Sequence, residues 1–301
     1  MDLRRLEIFV KVAELGSFSR AAETLFLTQP TVSEHVRALE DELGLTLLDR
    51  LGRGAVPTRA GQLLLGYARR MLALGREARQ AMDQFQGRMS GELMVGGSTI
   101  PGEYVLPALI GSFKGKYPDI SITLLIGDSA QVLDLLEDGR VEVAMVGASP
   151  TQRALEAREV MADDIVIAVA PDHPWATRPT VTLAEVRAEP LLVRERGSGT
   201  RDALERALAG PGLGLSAFKV VGEMGSTQAI KQAVRAGIGI TFISSRAVGD
   251  ECRARLIACV QVEDLKVERA FYLVTNRDRT RSPLAEAFVH FVESQAPSHP
   301  S

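Results

Sequence analysis

The 301-residue chain is poor in several residue types that carry chemistry. Its only cysteines are Cys252 and Cys259. Two thiols make neither a disulfide framework nor a zinc site, and they read as isolated thiols in a reducing compartment. The four histidines, at 35, 173, 290 and 299, lie far apart, which leaves no metal cluster and no nucleophile–base pair. No segment reaches the ~20 apolar residues of a membrane span. The N-terminal stretch MDLRRLEIFVKVAELG is amphipathic and lacks the apolar core of a signal peptide, so a cytoplasmic protein is expected. P-loop, HExxH and GxSxG motifs are missing, and GPGLGL (210–215) lacks the glycine spacing of a dinucleotide fold. The carboxylate pairs Asp163–Asp164 and Glu137–Asp138 read as solvated faces, and the sole tryptophan, Trp175, as packing. No enzyme, cofactor or metal is expected.

What is present is an ordinary globular composition, 46% hydrophobic and 24% charged, long enough for two or three domains. The net charge of −3 hides a mild split. Residues 1–90 carry 13 Lys/Arg against 11 Asp/Glu, and the remainder carries 22 against 27. That sign fits an N-terminal part that meets nucleic acid.

Leu3, Leu6, Phe9, Val10 and Ala13 recur at helical spacing until Gly16. Ser17 is placed to cap a second helix that turns Phe18, Ala21, Ala22 and Leu25 inward. Phe26–Leu27 turn the chain, Thr28 caps a third helix with Pro30 in its first turn, and Gly44 ends it. Its inward positions are Val32, Val36, Leu39 and Leu43, which leaves Gln29, Thr31, Ser33, Glu34, His35 and Arg37 outward. Short hydroxyls and an amide at a helix N-terminus reach base edges in a major groove, while the helix end favours phosphate. An ordinary helical hairpin with a solvated face is commoner in general. The length of the break, the paired alanines and the start Gln-Pro-Thr-Val-Ser together point to a helix-turn-helix reading DNA.

The stretches LRRLEIFVKVAELGSFSRAAETL, TQPTVSEHVRALEDELG and LTLLDRLGRGAVPTRAG resemble the start of LysR-type transcriptional regulators over about the first 65 residues. The resemblance implies an all-α winged helix-turn-helix domain over 1–58. It places Gln29, Pro30, Thr31, Ser33, Glu34, His35 and Arg37 on or near DNA, with Ser19 and Arg20 of the second helix beside them. It also places Arg53 at the tip of a two-stranded wing spanning roughly 47–58. Glu34 stands where the family often has Arg, His35 where Gln is common, and Leu48 where Phe is usual. A carboxylate facing DNA repels phosphate, so Glu34 either reads a cytosine amino group or points aside.

From Thr58 a proline-free stretch carries Leu64, Ala68, Met71, Gly75, Ala78, Met82 and Phe85 at alternating steps of four and three, a heptad seam. The expectation is a long linker helix, within 59–91, that pairs with a second chain and sets two reading helices on successive half-sites. GRMSGE (87–92) is a short linker. Beyond it, strands are expected at 92–97, 120–126, 142–147, 165–170, 190–193, 218–223, 239–243 and 268–275. Helices are expected at 103–116, 129–138, 199–209, 226–236 and 283–294. This alternation predicts α/β units and a largely parallel sheet.

Such sheets bind ligands at the carboxyl ends of their strands. The candidate effector-binding ends are Ser98-Thr99-Ile100-Pro101, Gly127-Asp128-Ser129, Gly147, and Ser198-Gly199-Thr200, which opens a helix as an anion cradle would. The LysR resemblance implies a two-lobed, periplasmic-binding-protein-like effector domain over 92–295, with lobe I at 92–161 and 268–293 and lobe II at 162–267. It implies a small, anionic effector at positions matching Ser98, Ile100 and Thr200, of which Ile100 carries no hydroxyl. GGSTIPGEYVLPALIGSFKGKYPDISITLLIGDS resembles the branch associated with sulfur or selenium metabolism. Expected partners are double-stranded DNA at an inverted-repeat promoter site, the effector, the chain itself as dimer or tetramer, and RNA polymerase if it activates. The alternative is a small-molecule solute-binding protein without regulatory DNA binding.

Overall fold

The computed structural model describes residues 2–51, 54–85 and 89–295. They form two compact units, one on residues up to 88 together with 138–140 and the other on the remainder.

In the first unit, α1 (Leu3–Leu15) is capped by the Asp2 carboxylate and closed by Gly16 at φ +61. α2 (Phe18–Leu25) is capped by Ser17 and closed by Phe26. α3 (Gln29–Leu43) is capped by Thr28 and closed by Gly44 at φ +65. Each capping oxygen accepts from a first-turn amide that has no partner within its helix. Ile8, Phe9, Ala21, Val32 and Leu39 are fully buried where the three helices meet. Leu43, which the spacing turns inward, is instead 38% exposed, because the core ends one turn earlier at Leu39.

The wing strands β1 (Leu48–Leu51) and β2 (Gly54–Pro57) pair antiparallel. Glu40 on α3 docks the wing by accepting from the Leu47 and Leu48 amides at 2.7 and 3.2 Å. α4 (Arg59–Phe85) follows, 27 residues and so ~40 Å long. Only the first half of its expected heptad seam is covered within the unit. Leu64, Ala68 and Met71 pack into the core of their own unit, and Gly75 lies under Leu3 of α1. Of the seam's C-terminal residues Met82 stays exposed, and Leu63, Tyr67 and Leu74, beside the seam, are exposed apolar residues as well.

The second unit holds, in order, β3 (Gly91–Ser98), a π-helical turn (Pro101–Val105), α5 (Leu106–Lys116), β4 (Ile120–Gly127), α6 (Ser129–Glu137), β5 (Val143–Val146) and β6 (Leu155–Val169). There follow β7 (Thr180–Val181), α7 (Leu183–Ala188), β8 (Pro190–Arg194), α8 (Gly199–Ala209), β9 (Lys219–Met224), α9 (Thr227–Arg235) and β10 (Ile240–Ser244). The last elements are α10 (Ser245–Arg253), β11 (Ala258–Val262), β12 (Val267–Asn276) and α11 (Pro283–Gln295). Hydrogen-bonded strands run β4-β3-β5-β12-β6-β10-β8-β9, with β11 on β6 and β7 on β11.

The sheet is mixed rather than largely parallel. β3 with β4 and β5, and β8 with β9 and β10, are parallel. β6 and β12 are antiparallel to each other, β12 is antiparallel to β5, and β6 is antiparallel to β10. One half of β6 pairs with β12 and the other with β10, so these two long strands pass from one set of parallel strands to the other. Phe113 and Phe288 meet edge-on at 5.1 Å in one core. Trp175, Val186, Leu204 and Ile240 belong to another, where Trp175 is packing as expected. The cysteines are not isolated: Cys252 and Cys259 are joined as a disulfide, with Cα atoms 6.6 Å apart. Sequence spacing does not show that α10 ends in a turn that brings β11 back beside it.

Candidate functional site

The outer face of α3 follows from its inner one. Val32, Val36 and Leu39 are buried, which leaves Gln29, Pro30, Glu34 and Arg37 exposed and Thr31, Ser33 and His35 half-exposed. Gln29 Nε2 donates to Ser33 Oγ at 3.1 Å, and the Thr28 and Thr31 hydroxyls meet at 2.8 Å. The first turn thus carries an ordered ridge of amide and hydroxyl groups, with the positive end of the helix beneath it. Ser19 and Arg20 are exposed at the start of α2, where the Arg20 guanidinium donates to the Leu15 carbonyl. Arg53 lies outside the described residues. Two features of this unit were not read from the sequence. Arg50 on β1 is exposed and stacks over Phe18 at 4.6 Å. Phe26 is 96% exposed in a left-handed conformation at the turn between α2 and α3.

In the second unit, Ser98, Thr99, Ile100, Asp128, Ser129, Ser198, Gly199 and Thr200 converge on one narrow cleft at the ends of β3, β4 and β8. The other expected residues frame it. The Gly147 amide donates to Ser98 Oγ at 3.1 Å, Gly127 gives its carbonyl to Thr99, and Pro101 is buried in the π-helical turn. Space is tight at Gly199: a Cβ there would sit 3.0 Å from the Gly147 carbonyl oxygen, so the Gly147 backbone would have to give by a few tenths of an ångström.

Sequence reasoning missed two cleft residues, Arg194 at the end of β8 and Arg269 on β12. Their side chains are only 4% and 3% exposed. Arg269 Nε donates to Asp163 Oδ2 at 2.9 Å, and Nη1 donates to Thr200 Oγ1 at 3.1 Å. Nη2 lies 2.8 Å from the same Oδ2, in an ion pair without hydrogen-bond geometry, and so has no hydrogen-bond partner. Burial pushes the Arg269 pKa down and the Asp163 charge opposes the shift. Asp163, expected on a solvated face, is buried between Arg269 and the Ser244 hydroxyl, which donates to it at 2.7 Å. Arg194 grips both Glu195 oxygens at 2.7 Å and donates to Thr227 at 2.8 Å.

Both guanidinium charges are therefore matched by a carboxylate, and what the cleft offers a ligand is mainly directed donors. α8 opens at Ser198 without a side-chain cap, and Ser198, Gly199 and Thr200 of this helix start line the cleft. Ser129 Oγ is buried without a partner, while the Asp128 carboxylate accepts from the Gln131 amide at 2.8 Å. An unpartnered hydroxyl and a helix N-terminus beside a buried guanidinium suit a small oxyanion.

Among the described residues there is no group of three or more His, Cys, Asp or Glu fit to hold a metal ion, and no helix long and apolar enough to cross a membrane.

Residues 3–62 match the bacterial regulatory helix-turn-helix proteins of the lysR family, and residues 86–297 match the LysR substrate binding domain. A RuBisCO operon transcriptional regulator of Allochromatium vinosum is 35% identical over 297 residues, covering 98% of this chain and 97% of its own. A probable RuBisCO transcriptional regulator of Cyanidium caldarium is 33% identical over 291 residues, covering 96% and 92%. Full-length CbnR, solved in complex with its target DNA, superposes with a TM-score of 0.74 at 25% identity, covering 98% of this chain and 100% of its own. The resemblance to a sulfur or selenium branch gains no support from these relatives.

Proposed function

The chain belongs to the LysR family of DNA-binding transcriptional regulators, and we propose that it reads an inverted-repeat promoter site through α3 and answers to a small oxyanion held between two lobes of its second unit. The observation that carries the effector half is Arg269. It is a buried guanidinium with one nitrogen lacking a hydrogen-bond partner, and it stands beside the uncapped start of α8. The lobes in this reading are residues 92–161 with 268–293, and 162–267. They are linked by β6 and β12, Ser98, Ser129, Ser198 and Thr200 supply donors to the ligand, and Thr99 lines the cleft. Ile100 adds an apolar wall.

On the DNA side, Gln29, Thr31 and Ser33 meet base edges, while Arg20, Arg37, Arg50 and Arg53 meet phosphate. Glu34 and His35, exposed and half-exposed on the same face, lie within reach of the groove. Ser19 and Pro30 sit against the backbone. Two copies joined through Leu63, Tyr67, Leu74 and Met82 of α4 present two such faces to successive half-sites. At 100° per residue these four positions fall within about 100° of one another, which makes one continuous apolar stripe. A solute-binding role alone leaves the ordered polar face of α3 without a use.

The relatives' names support regulation of a RuBisCO operon, and the proposed reading is a cytoplasmic regulator that acts on RNA polymerase where it activates and catalyses nothing. The test is a footprint of the purified protein on DNA upstream of RuBisCO genes and of its own gene, with small oxyanions added one at a time. A protected inverted repeat whose pattern changes with one anion is expected. Protection that no anion alters would defeat the effector assignment, and absence of protection would defeat the operator assignment.

A further inference from the structure

The functional reading leaves the two cysteines without a role. Cys252 lies in the last turn of α10, and Cys259 is the second residue of β11. The backbone brings them together. α10 closes with the Leu256 amide donating to the Glu251 carbonyl at 2.9 Å and with Arg255 at φ +57, a Schellman turn built on a residue other than glycine. The chain then enters β11, where Cys259 is held opposite Ala168 of β6. The two Cα atoms end 6.6 Å apart, within the span of a disulfide. Cys252 is half-buried against the core. Cys259 points outward and is exposed, as strand alternation requires when its neighbour Val260 is buried.

We propose that Cys252 and Cys259 form a thiol–disulfide exchange site whose substrate is a low-molecular-weight disulfide. The exposed Cys259 thiolate attacks one sulfur of the small disulfide RSSR, forming a mixed disulfide and releasing RS⁻, which takes up a proton. The Cys252 thiolate then attacks the Cys259 sulfur and displaces the second RS⁻, which is likewise protonated. In sum, two protein thiols lose two electrons and two protons to become one disulfide, and RSSR gains them to become two RSH. An excess of small thiol runs the same steps backward. In a reducing compartment the pair rests as thiols, and a rise in small disulfides closes it.

The bond acts on α10. The first turn of that helix carries Arg246, whose Nη2 donates to the Ala162 carbonyl at 3.3 Å and whose Nε lies 3.7 Å from Asp163. Its middle is held by Lys231, which donates to the Ala247 carbonyl at 3.0 Å and to Glu251 at 2.6 Å. Its far end is tied to β11 by the sulfur bond. Closing that short ring suppresses the open states of residues 252–259, so the end of α10 frays less in the oxidised protein.

The experiment equilibrates the full-length protein with glutathione at graded ratios of reduced to oxidised form, then quenches with acid. Thiols are alkylated with N-ethylmaleimide and counted by mass spectrometry, and hydrogen–deuterium exchange is followed over residues 245–262. Two labelled thiols at the reducing end, none at the oxidising end and a reversible single transition are expected. Cys252→Ser should trap one glutathione on Cys259. Exchange across 250–257 should slow about tenfold or more on oxidation, the order that closing so short a ring predicts, and should not change in Cys252→Ser or Cys259→Ser. Two labelled thiols at every ratio, a disulfide between chains, no adduct in Cys252→Ser, or equal exchange in both states would each overturn the proposal.

Discussion

Asp163→Ala is the sharpest test of how the cleft is held. It removes the carboxylate that takes Arg269 Nε at 2.9 Å and the Ser244 hydroxyl at 2.7 Å, and that lies 2.8 Å from Arg269 Nη2. The Asp163 side chain is 0% exposed and that of Arg269 is 3% exposed, so solvent does not replace the lost partner. Removing one member of a buried pair costs ~3–5 kcal/mol, because a charge is left without compensation. At ~2–4 °C per kcal/mol for a unit of this size, the melting temperature should fall by roughly 6–20 °C. Replacing both members, Asp163→Leu with Arg269→Met, removes the stranded charge and should restore most of the loss. Thermal and urea unfolding followed by circular dichroism measure wild type, Asp163→Leu, Arg269→Met and the double variant as corners of one cycle, and a coupling of at least ~2 kcal/mol is expected. Inorganic phosphate should raise the melting temperature of Asp163→Ala more than that of wild type, since the freed guanidinium accepts an anion. Strictly additive variants, or a loss below ~1 kcal/mol for Asp163→Ala, refute the view of Arg269 as a charge held in place by Asp163.

Four further outcomes are expected. Gln29→Ala and Ser33→Ala should each weaken operator binding by ~1–3 kcal/mol while sparing non-specific DNA. Because the two side chains are hydrogen-bonded, the double variant should lose less than the sum, and gel-shift titrations showing full additivity would count against a shared ridge. Leu74→Glu should convert dimers to monomers in light scattering, and an unchanged mass would move the pairing surface off α4. Gly61→Ala places a Cβ 2.0 Å from the Leu47 carbonyl oxygen, so the wing must shift, at ~1–3 kcal/mol, and an unaltered melting curve would contradict that packing. The Arg178 guanidinium, 2.7 Å from Glu185, and the Thr182 amide hold the Glu185 carboxyl down to about 2. A depressed carboxyl stabilises fully above its unfolded value of 4.5, and that contribution fades as the pH falls from there through about 2. A carbon-13 titration should find Glu185 ionised where ordinary glutamates protonate, and Arg178→Ala should raise its midpoint.

The N-terminal unit was legible because its signals are local. Ser17, Thr28, Gly16 and Gly44 act within one helical turn of themselves, and they cap and stop the helices where the spacing predicts. α4 was legible as a helix, but how much of its seam stays free was not. Apolar residues continue beside the seam, and only the docking of α1 onto Leu64, Ala68 and Met71 shows which are already covered. The half of β6 before residue 165 escaped because LEAREVMADD is too polar to read as a strand until β12 pairs with it. Arg194 and Arg269 sit on strands among other charges and look solvated. Arg269 meets its carboxylate across 106 positions of sequence.

The sequence by itself determined the helix-turn-helix, the strand-and-helix alternation that follows, and the strand ends where hydroxyls and glycines gather. Propensity, capping and periodicity act over a few residues and need no partner. Only the tertiary structure decided that a buried arginine stands in the cleft, that the sheet is mixed, that α4 shows Leu63 and Leu74 to solvent, and that Cys252 meets Cys259. Each of these is a pairing between distant segments, and burial, which sets the strength of a charge pair and the fate of a thiol, belongs to the folded chain and to no residue alone.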